Sequence, residues 1–353
     1  MTTAITGATG FLGLRLLAEL LDREDRVIVL SRPGPVPVLE RVAAFLRARG
    51  APPGDLHALP LRVRVVHADI TRRDLGLDPD DRATLTRETT ALWHNAANTG
   101  LSPVSAEVRR TNLVGTRNVL ALADRCPGLT ALRHSSTFAV AGRRAHGVIG
   151  DDDLDDSHGF CSEYERSKYD AEVRVRRWAA AHPDHDVLVF RLALLTSDLP
   201  PYPGAPAQPL VVARDTAAWL RDRHPEARAG ITVPCDGDSP VNVLPVEHAA
   251  RAMADAAAKA VGTPMRTINV VSSDHVPARL LVAAVAESVG VPCAMDPAAT
   301  GVRVPGAAGD VMAAILPFGR MTRTFADTAL AGLGLACPRE PVIDRDYLRA
   351  CLR

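Results

Sequence analysis

Lysine is nearly missing from this chain. Of 41 basic side chains in 353 residues only Lys168 and Lys259 are lysine, and the rest are arginine. Where arginine is used almost everywhere, a surviving lysine is a candidate for work that a planar guanidinium cannot do, such as lying beside a reacting centre as a compact ammonium. Net charge is missing too. The 41 basic residues balance 41 acidic ones, which leaves no electrostatic footprint for nucleic acid or an anionic membrane, so neither partner is expected. No apolar run is long enough for a bilayer, and because the first strand is expected to begin by residue 3, no signal peptide is expected. The expected location is therefore cytoplasmic. The six cysteines (Cys126, Cys161, Cys235, Cys293, Cys337, Cys351) include no CxxC pair and no Cys/His spacing suited to zinc, so they read as reduced thiols and no metal is expected. An aspartate run from Asp151 to Asp156 has no calcium-loop spacing and reads as a solvated loop. Internal repeats and low-complexity tails are also lacking.

What is present starts at the amino terminus. Ala4-Ile5-Thr6 is a short apolar strand, and it runs into Gly7-Ala-Thr9-Gly10-Phe11-Leu12-Gly13 and a proline-free amphipathic helix continuing to Leu21. This order predicts a dinucleotide site. Gly7 allows the tight turn, Gly10 lets backbone N–H groups approach a pyrophosphate, and Gly13 lets the helix lie close to the strand; Thr9, Phe11 and Leu12 complete the candidate turn. The next strand, Arg26 to Leu30, ends in Ser31-Arg32. An acidic residue there would bind the ribose hydroxyls of NAD, whereas a small hydroxyl followed by arginine suits the 2′-phosphate of NADP. NADP is the expected cofactor, with NAD second.

Further along, a proline-rich break precedes a helical pattern from Val38 to Arg49 and a loop at Pro52-Pro53. The alternating stretch Leu61 to His67 leads into Asp69-Ile70, expected to hold the adenine, and the strand Ala91 to His94 leads into Asn95-Ala96-Ala97, small enough for backbone to approach the ribose and nicotinamide. His94 reads as a packed strand histidine. A helix is expected from Ala106 to Arg125 with two poor helix formers, Asn112 and Gly115, near its middle. Asn112 is included among the cofactor-site candidates; its amide either bonds the next strand or anchors a water. The strand Thr130 to Thr137 ends in hydroxyls. After the aspartate run, Ser162 opens a helix to about Ala181 that sets Tyr164 and Lys168 four apart on one face. An ammonium beside a phenol favours the phenolate, so a lowered Tyr164 pKa is expected, with the ammonium also free to bond a ribose.

In this order, Thr6-Gly-Ala-Thr-Gly-Phe-Leu-Gly13, Asp69-Ile70, Asn95-Ala96-Ala97, Ser135-Ser136-Thr137 and Tyr164-x-x-x-Lys168 make the chain resemble the extended short-chain dehydrogenase/reductases over nearly all its length. Within that superfamily Val29-Leu-Ser-Arg32, Asp69 to Leu77, His94 to Ala97, Asn242 to Val246 and Leu333 to Pro338 are most similar to the thioester reductase and fatty acyl reductase branch. The resemblance implies that Thr137 bonds the substrate carbonyl oxygen, Tyr164 donates a proton, and Lys168 orients the ribose and tunes Tyr164. It departs from the family pattern at three places: Leu14 stands where many NADP-dependent relatives carry arginine, although Arg15 follows; Leu192 replaces a usual proline after Arg191; and Ala193 to Asp198 lacks the usual glycine turn.

The expected fold is α/β, a doubly wound Rossmann-type parallel sheet with a small, mainly helical carboxy-terminal substrate lobe. Residues 1–195, completed by about 240–272, would form the NADP-binding domain, and 196–239 with 273–353 the lobe. Expected lobe helices are Asp215 to Arg223, Pro277 to Val289, Ala307 to Leu316, Phe325 to Leu333 and Asp344 to Leu352, with Glu247 to Ala260 and the strand Thr267 to Val271 completing the domain. The expected activity is NADPH-dependent hydride delivery to an acyl thioester, bound to CoA or to a separate acyl or peptidyl carrier protein, giving aldehyde or alcohol. Small ketones or aldehydes are a second substrate class. An NAD-dependent nucleotide-sugar epimerase or dehydratase is a further alternative, against which Ser31-Arg32 argues; a non-catalytic dinucleotide sensor is another, against which the Thr137, Tyr164 and Lys168 set argues.

Overall fold

Strands that read as almost unbroken apolar runs, such as Val27-Ile-Val-Leu30, belong in a parallel sheet covered on both faces. The computed structural model, which describes residues 2–353 apart from 103, 263, 300–308, 310, 311, 313, 314 and 340, has such a sheet at its centre. Its seven strands are β1 (Thr3–Thr6), β2 (Val27–Ser31), β3 (Val63–His67), β4 (Ala91–His94), β5 (Ala131–Thr137), β6 (Asp186–Leu192) and β7 (Arg266–Val270). They pair in parallel in the order β7-β6-β5-β4-β1-β2-β3. The order of winding reverses between β1 and β4, where Thr3 to Thr6 align with Ala91 to His94. In open parallel sheets ligands bind at the carboxyl ends of the strands beside such a switch point.

Two apolar layers sandwich the sheet, and the period of two decides which side chain joins which. Ile5, Val27 and Val29 face α1 (Phe11–Leu21), α2 (Pro35–Ala48) and the alanine-rich helix Val246–Lys259. Ala4, Ile28 and Leu30 face the opposite layer, with Val119, Leu120, Val175 and Trp178. A smaller third cluster, Leu210, Ala284, Tyr347, Leu348, Cys351 and Leu352, joins the outer helices Pro209–Arg223, Ala278–Ser288 and Arg345–Cys351.

Several local expectations are corrected. The loop expected at Pro52-Pro53 is a helix, Pro53–Arg62, with Pro53 in the first turn, where a missing N–H costs nothing, and the following strand starts at Val63 instead of Leu61. Pro79–Glu88 is a further helix, capped by the Asp78 side chain, which accepts from the Asp81 N–H at 2.8 Å. The helix expected over Ala106 to Arg125 is interrupted by a π-helical turn, Arg110–Val114, before continuing as Gly115–Ala123. The outer helix expected from Asp215 begins at Pro209. Phe325 to Leu333 divides into a strand, Thr324–Phe325, and a helix, Thr328–Gly332; the helix expected over Ala307 to Leu316 falls largely outside the described residues.

The aspartate run is not uniformly solvated. Asp151 is buried and accepts from the Asn269 N–H (2.7 Å), the Thr328 hydroxyl (2.6 Å) and the Ala329 N–H (2.8 Å), which pins the loop to β7 and to the start of helix Thr328–Gly332.

Candidate active site

Gly7, Arg32, Asp69, Asn95 and Thr137 all fall at the carboxyl edge of the sheet because each follows or ends one of its strands. Gly7 has φ +71°, and a Cβ there would come within 2.6 Å of the Ala96 nitrogen; a Cβ on Gly13 would come within 1.9 Å of the Gly7 oxygen. Both glycines are therefore required by close backbone approach. Gly10 differs, since a Cβ there would meet only the Gly7 oxygen at 3.4 Å. Gly10 caps α1 with no side-chain bond, and no acidic residue lies in the first turn, formed by Phe11, Leu12 and Gly13. A helix end with free N–H groups and no local anion fits a pyrophosphate. Opposite it, Asn95 donates its amide to the Gly7 oxygen at 3.2 Å, and Thr6 Oγ1 accepts from the N–H groups of Asn95 (3.2 Å) and Ala96 (3.1 Å).

The same Thr6 hydroxyl fixes the state of His94. Thr116 donates to the Asn112 carbonyl at 2.6 Å, so its oxygen accepts from His94 Nε2 at 2.9 Å, and Thr6 then donates to His94 Nδ1 at 3.0 Å. Burial, with Lys168 adding to it, pushes the His94 pKa down to about 3, so the ring is neutral.

At the far end of the edge, Ser31 is buried and Arg32 is exposed. Asp69 accepts from the Thr71 N–H (2.9 Å) and hydroxyl (2.8 Å). Burial acts to raise the Asp69 carboxyl, but these bonds and the charges of Arg32 and Arg110 hold it below its usual range. The neighbouring turn is built from a helix that sequence reasoning found odd. Asn118 donates to the carbonyls of Ile70 (2.8 Å) and Arg72 (2.9 Å), and Gly115 leaves room for the Ile70 side chain, whose Cδ1 would lie 2.7 Å from an added Cβ.

The third group lies where β5 meets α6 (Glu163–Ala181). Thr137 is buried and accepts from the Ala139 N–H at 3.2 Å, and Tyr164 is half-buried with Thr137 as a hydrogen-bonding partner of its phenol. Lys168 is buried and donates to the Ser135 carbonyl at 2.6 Å. One expectation changes here. Burial pushes the Tyr164 phenol up to about 12 against the opposing bond from Thr137, instead of the ammonium lowering it. Burial also brings Lys168 down to about 8, with Glu172 opposing. The Tyr164 hydroxyl is therefore a held acid at neutral pH, with its proton in place.

Asn112 is engaged by the protein. Its amide donates to the Asn98 carbonyl and to Ser167 Oγ, each at 2.9 Å, and accepts from the Asn98 N–H at 2.7 Å, while Ser167 donates to the Tyr164 carbonyl at 3.0 Å. It ties the π-helical turn to the helix that carries Tyr164. Arg15 is likewise committed: it donates to Glu247 (3.0 Å), Ser197 (3.2 Å) and the Phe11 carbonyl (3.1 Å), and lies 4.8 Å from the ring centres of Phe11 and Phe45. Arg32 is thus the exposed arginine at the end of β2.

A family model described as Male sterility protein, with an NAD-binding label, matches residues 5–253. The chain belongs to that family. As a male sterility family member it carries an NAD-binding domain, and the cofactor that this domain takes is a nicotinamide dinucleotide. It is 35% identical over 145 residues to an isonitrile lipopeptide synthase of Streptomyces coeruleorubidus, which covers 39% of this chain and 9% of that one. It is 29% identical over 153 residues to mouse (Mus musculus) fatty acyl-CoA reductase 1, which covers 40% of this chain and 29% of that one. The matched part thus spans less than a third of the length of these curated relatives. The solved terminal R domain from the myxalamid PKS-NRPS biosynthetic pathway superposes with a TM-score of 0.75 at 23% identity, over 99% of this chain and 89% of that one. No helix among the described residues is long and apolar enough to cross a membrane, and no cluster of three or more His, Cys, Asp or Glu among them could hold a metal ion.

Beneath the candidate acid, this male sterility family chain holds charges that sequence reasoning missed. Glu172 is fully buried; it pairs with Arg191 at 2.8 Å and with Arg176 at 3.1 Å, and accepts from the Ser136 hydroxyl at 2.7 Å. Burial alone would raise its carboxyl, but Arg191, Ser136 and Arg176 hold it below its usual range. The network joins α6 to β5 and β6, one residue before Thr137 and one helical turn after Lys168. Breaking such a pair from one side costs about 3–5 kcal/mol, because a buried charge is left alone. The i,i+4 spacing places Glu172 on the same helix face as Lys168, but nothing local marks Arg191 as its partner.

Proposed function

We propose that the chain is an NADPH-dependent reductase of acyl thioesters, bound to CoA or to a carrier protein, and that Tyr164 is its proton donor. The observation that carries the reading is the meeting of Thr137, Tyr164 and Lys168 at the sheet edge that also holds the glycine turn. Gly10, Phe11, Leu12 and Gly13 would hold the pyrophosphate, Asn95 to Ala97 the nicotinamide end, Asp69 and Ile70 the adenine, and Ser31-Arg32 the 2′-phosphate. When bound, the cofactor supplies hydride to the carbonyl carbon. The Thr137 hydroxyl orients the carbonyl oxygen, and the Tyr164 phenol, protonated at neutral pH, delivers its proton to that oxygen as negative charge develops on it. Collapse of the resulting hemithioacetal releases a thiol and an aldehyde. Lys168 uses one of its three donors on Ser135, which leaves two for the ribose. The outer segments, 196–239 and 273–353, are read as the substrate lobe.

Support for the thioester comes from relatives whose names contain lipopeptide synthase and fatty acyl-CoA reductase, and from the R domain of a PKS-NRPS pathway. The test is oxidation of NADPH and NADH against acyl-CoA and acyl-pantetheine thioesters, with aldehydes and ketones in parallel and products identified. Thioester-dependent oxidation that prefers NADPH is the expected result; activity on ketones alone would overturn the thioester assignment.

A further inference from the structure

The turn that follows Thr137 is gripped from two sides. Thr137 caps a short 3-10 turn, Phe138–Ala141, and the chain then bends at Gly142, with φ +56°. On one side Gly142 lies against the segment leading into α6, so closely that a Cβ would come within 2.1 Å of the Gly159 oxygen, while the Arg143 N–H donates to that oxygen at 2.9 Å. That segment continues through Cys161, whose N–H donates to Glu165 at 2.7 Å, into the helix turn bearing Tyr164.

On the other side stands Arg323, 181 residues along the chain from Gly142. Its side chain is buried, and Nη1 donates to the carbonyls of Gly142 (2.5 Å) and Arg144 (2.9 Å). Its guanidinium carbon lies 5.3 Å from the ring centre of Phe318 and 5.6 Å from that of Phe325. Both rings also pack on Phe138, the residue after Thr137, with centres 6.0 and 5.1 Å away. The segment bearing Arg323 is strapped to the same loop by backbone pairing: Thr324 and Phe325 align in parallel with Val148 and Ile149, and the Thr322 N–H donates to the Ala145 carbonyl at 2.8 Å.

We propose that Arg323 is a positioning residue for the reduction, clamping the 142–144 turn so that the spacing between Thr137 and Tyr164 is set only while the strand Thr324–Phe325 is docked. Arg323 acts through the turn and touches neither reacting group. A planar fork between two rings, with two carbonyls on one nitrogen, suits arginine; lysine supplies the charge but not the plane. The inference rests on the roles proposed for Thr137 and Tyr164.

The test compares wild type, Arg323→Ala and Arg323→Lys by steady-state kinetics, NADPH binding and amide hydrogen exchange. Arg323→Ala should lower kcat between about ten- and a hundredfold, the range that a small misplacement of catalytic groups produces. Its NADPH Kd should stay within about twofold, since the glycine turn is remote from the clamp. Exchange should quicken in 137–142 and 160–165, and Arg323→Lys should recover part of the kcat and part of the protection. Unchanged kcat in Arg323→Ala, or a kcat loss matched by an equal loss of NADPH affinity, would overturn the inference. If Arg323→Ala does not fold, Arg323→Lys with wild-type kcat and wild-type exchange would overturn it as well. If wild type reduces no thioester, the proposed function fails, and the exchange measurement still decides the clamp.

Discussion

The sheet with its glycine turn and the loop that follows Thr137 are held in place by different physics. The sheet and its covering helices close over two continuous apolar layers, and the glycine turn is fixed by backbone meeting backbone at van der Waals distance. The outer segments have one small apolar cluster of their own and share the sheet's layer through Leu330 and Cys337, while the loop after Thr137 is held by Phe318 and Phe325 on Phe138 and by a few named polar contacts: Asp151 on Thr328 and Ala329, and Arg323 on Gly142 and Arg144. Broad apolar contact gives a rigid platform, whereas the polar contacts on the loop each depend on a single side chain.

The largest expected effect lies where the two parts meet. Tyr164→Phe removes a proton donor and almost no volume, so turnover should fall about 10²- to 10⁴-fold while NADPH binding is kept, as read by single-turnover kinetics and cofactor fluorescence. Undiminished turnover would remove Tyr164 from the role.

Acid should strike the platform next. His94 is held neutral down to about 3, and burial, Lys168 and His94 together push His134 well below the usual histidine range. In the unfolded chain both rings titrate near their ordinary value, so the unfolded state binds more protons as pH falls. The stability these neutral rings contribute is complete above about pH 6.5 and is lost as pH drops toward 3, at up to about 1.4 kcal/mol per pH unit for each ring. Denaturant melts between pH 8 and 4 should show this loss, and His94→Gln should reduce its slope; an unchanged slope would mean that His94 is not buried neutral.

The glycines sharpen the comparison by separating packing from binding. Gly13→Ala drives a methyl into the Gly7 carbonyl and should cost at least about 1–3 kcal/mol of stability along with cofactor binding. Gly10→Ala meets only one atom, at 3.4 Å, and should leave the melting temperature nearly unchanged while weakening the dinucleotide. Equal destabilisation by both would remove the distinction. Smallest of all, Arg32→Ala should weaken NADPH by about tenfold, one charge-assisted phosphate contact, and NADH hardly at all. Equal loss for both cofactors would show that Arg32 does not read the 2′-phosphate.

How much of this was legible before the fold was known follows the same division. The glycine turn and Tyr164-x-x-x-Lys168 are local spacings that carry their chemistry with them, and the strands β1 to β5 announce themselves by apolar runs with small or polar residues at their ends. The strand Asp186–Leu192, which lies between β5 and β7, is not among the expected strands, since the acidic and histidine-rich link before it marks no strand start. The helix Pro53–Arg62 was hidden by prolines that it tolerates in its first and last turns. Asp151 looked like its exposed neighbours, since nothing in an aspartate run marks the one member that is buried. Glu172 with Arg191 and Arg323 with Gly142 depend on contacts across 19 and 181 positions, for which local pattern carries no signal.

The most direct test of the central claim is a stopped assay in which the chain, NADPH and a medium-chain acyl-CoA are mixed, reduced-nicotinamide absorbance is followed, and the acyl product is trapped. The account predicts loss of NADPH that requires the thioester, release of free thiol, an aldehyde or alcohol product, and loss of all three in Tyr164→Phe. NADPH oxidation that proceeds equally without thioester, or an intact thioester beside a reduced ketone control, would contradict it.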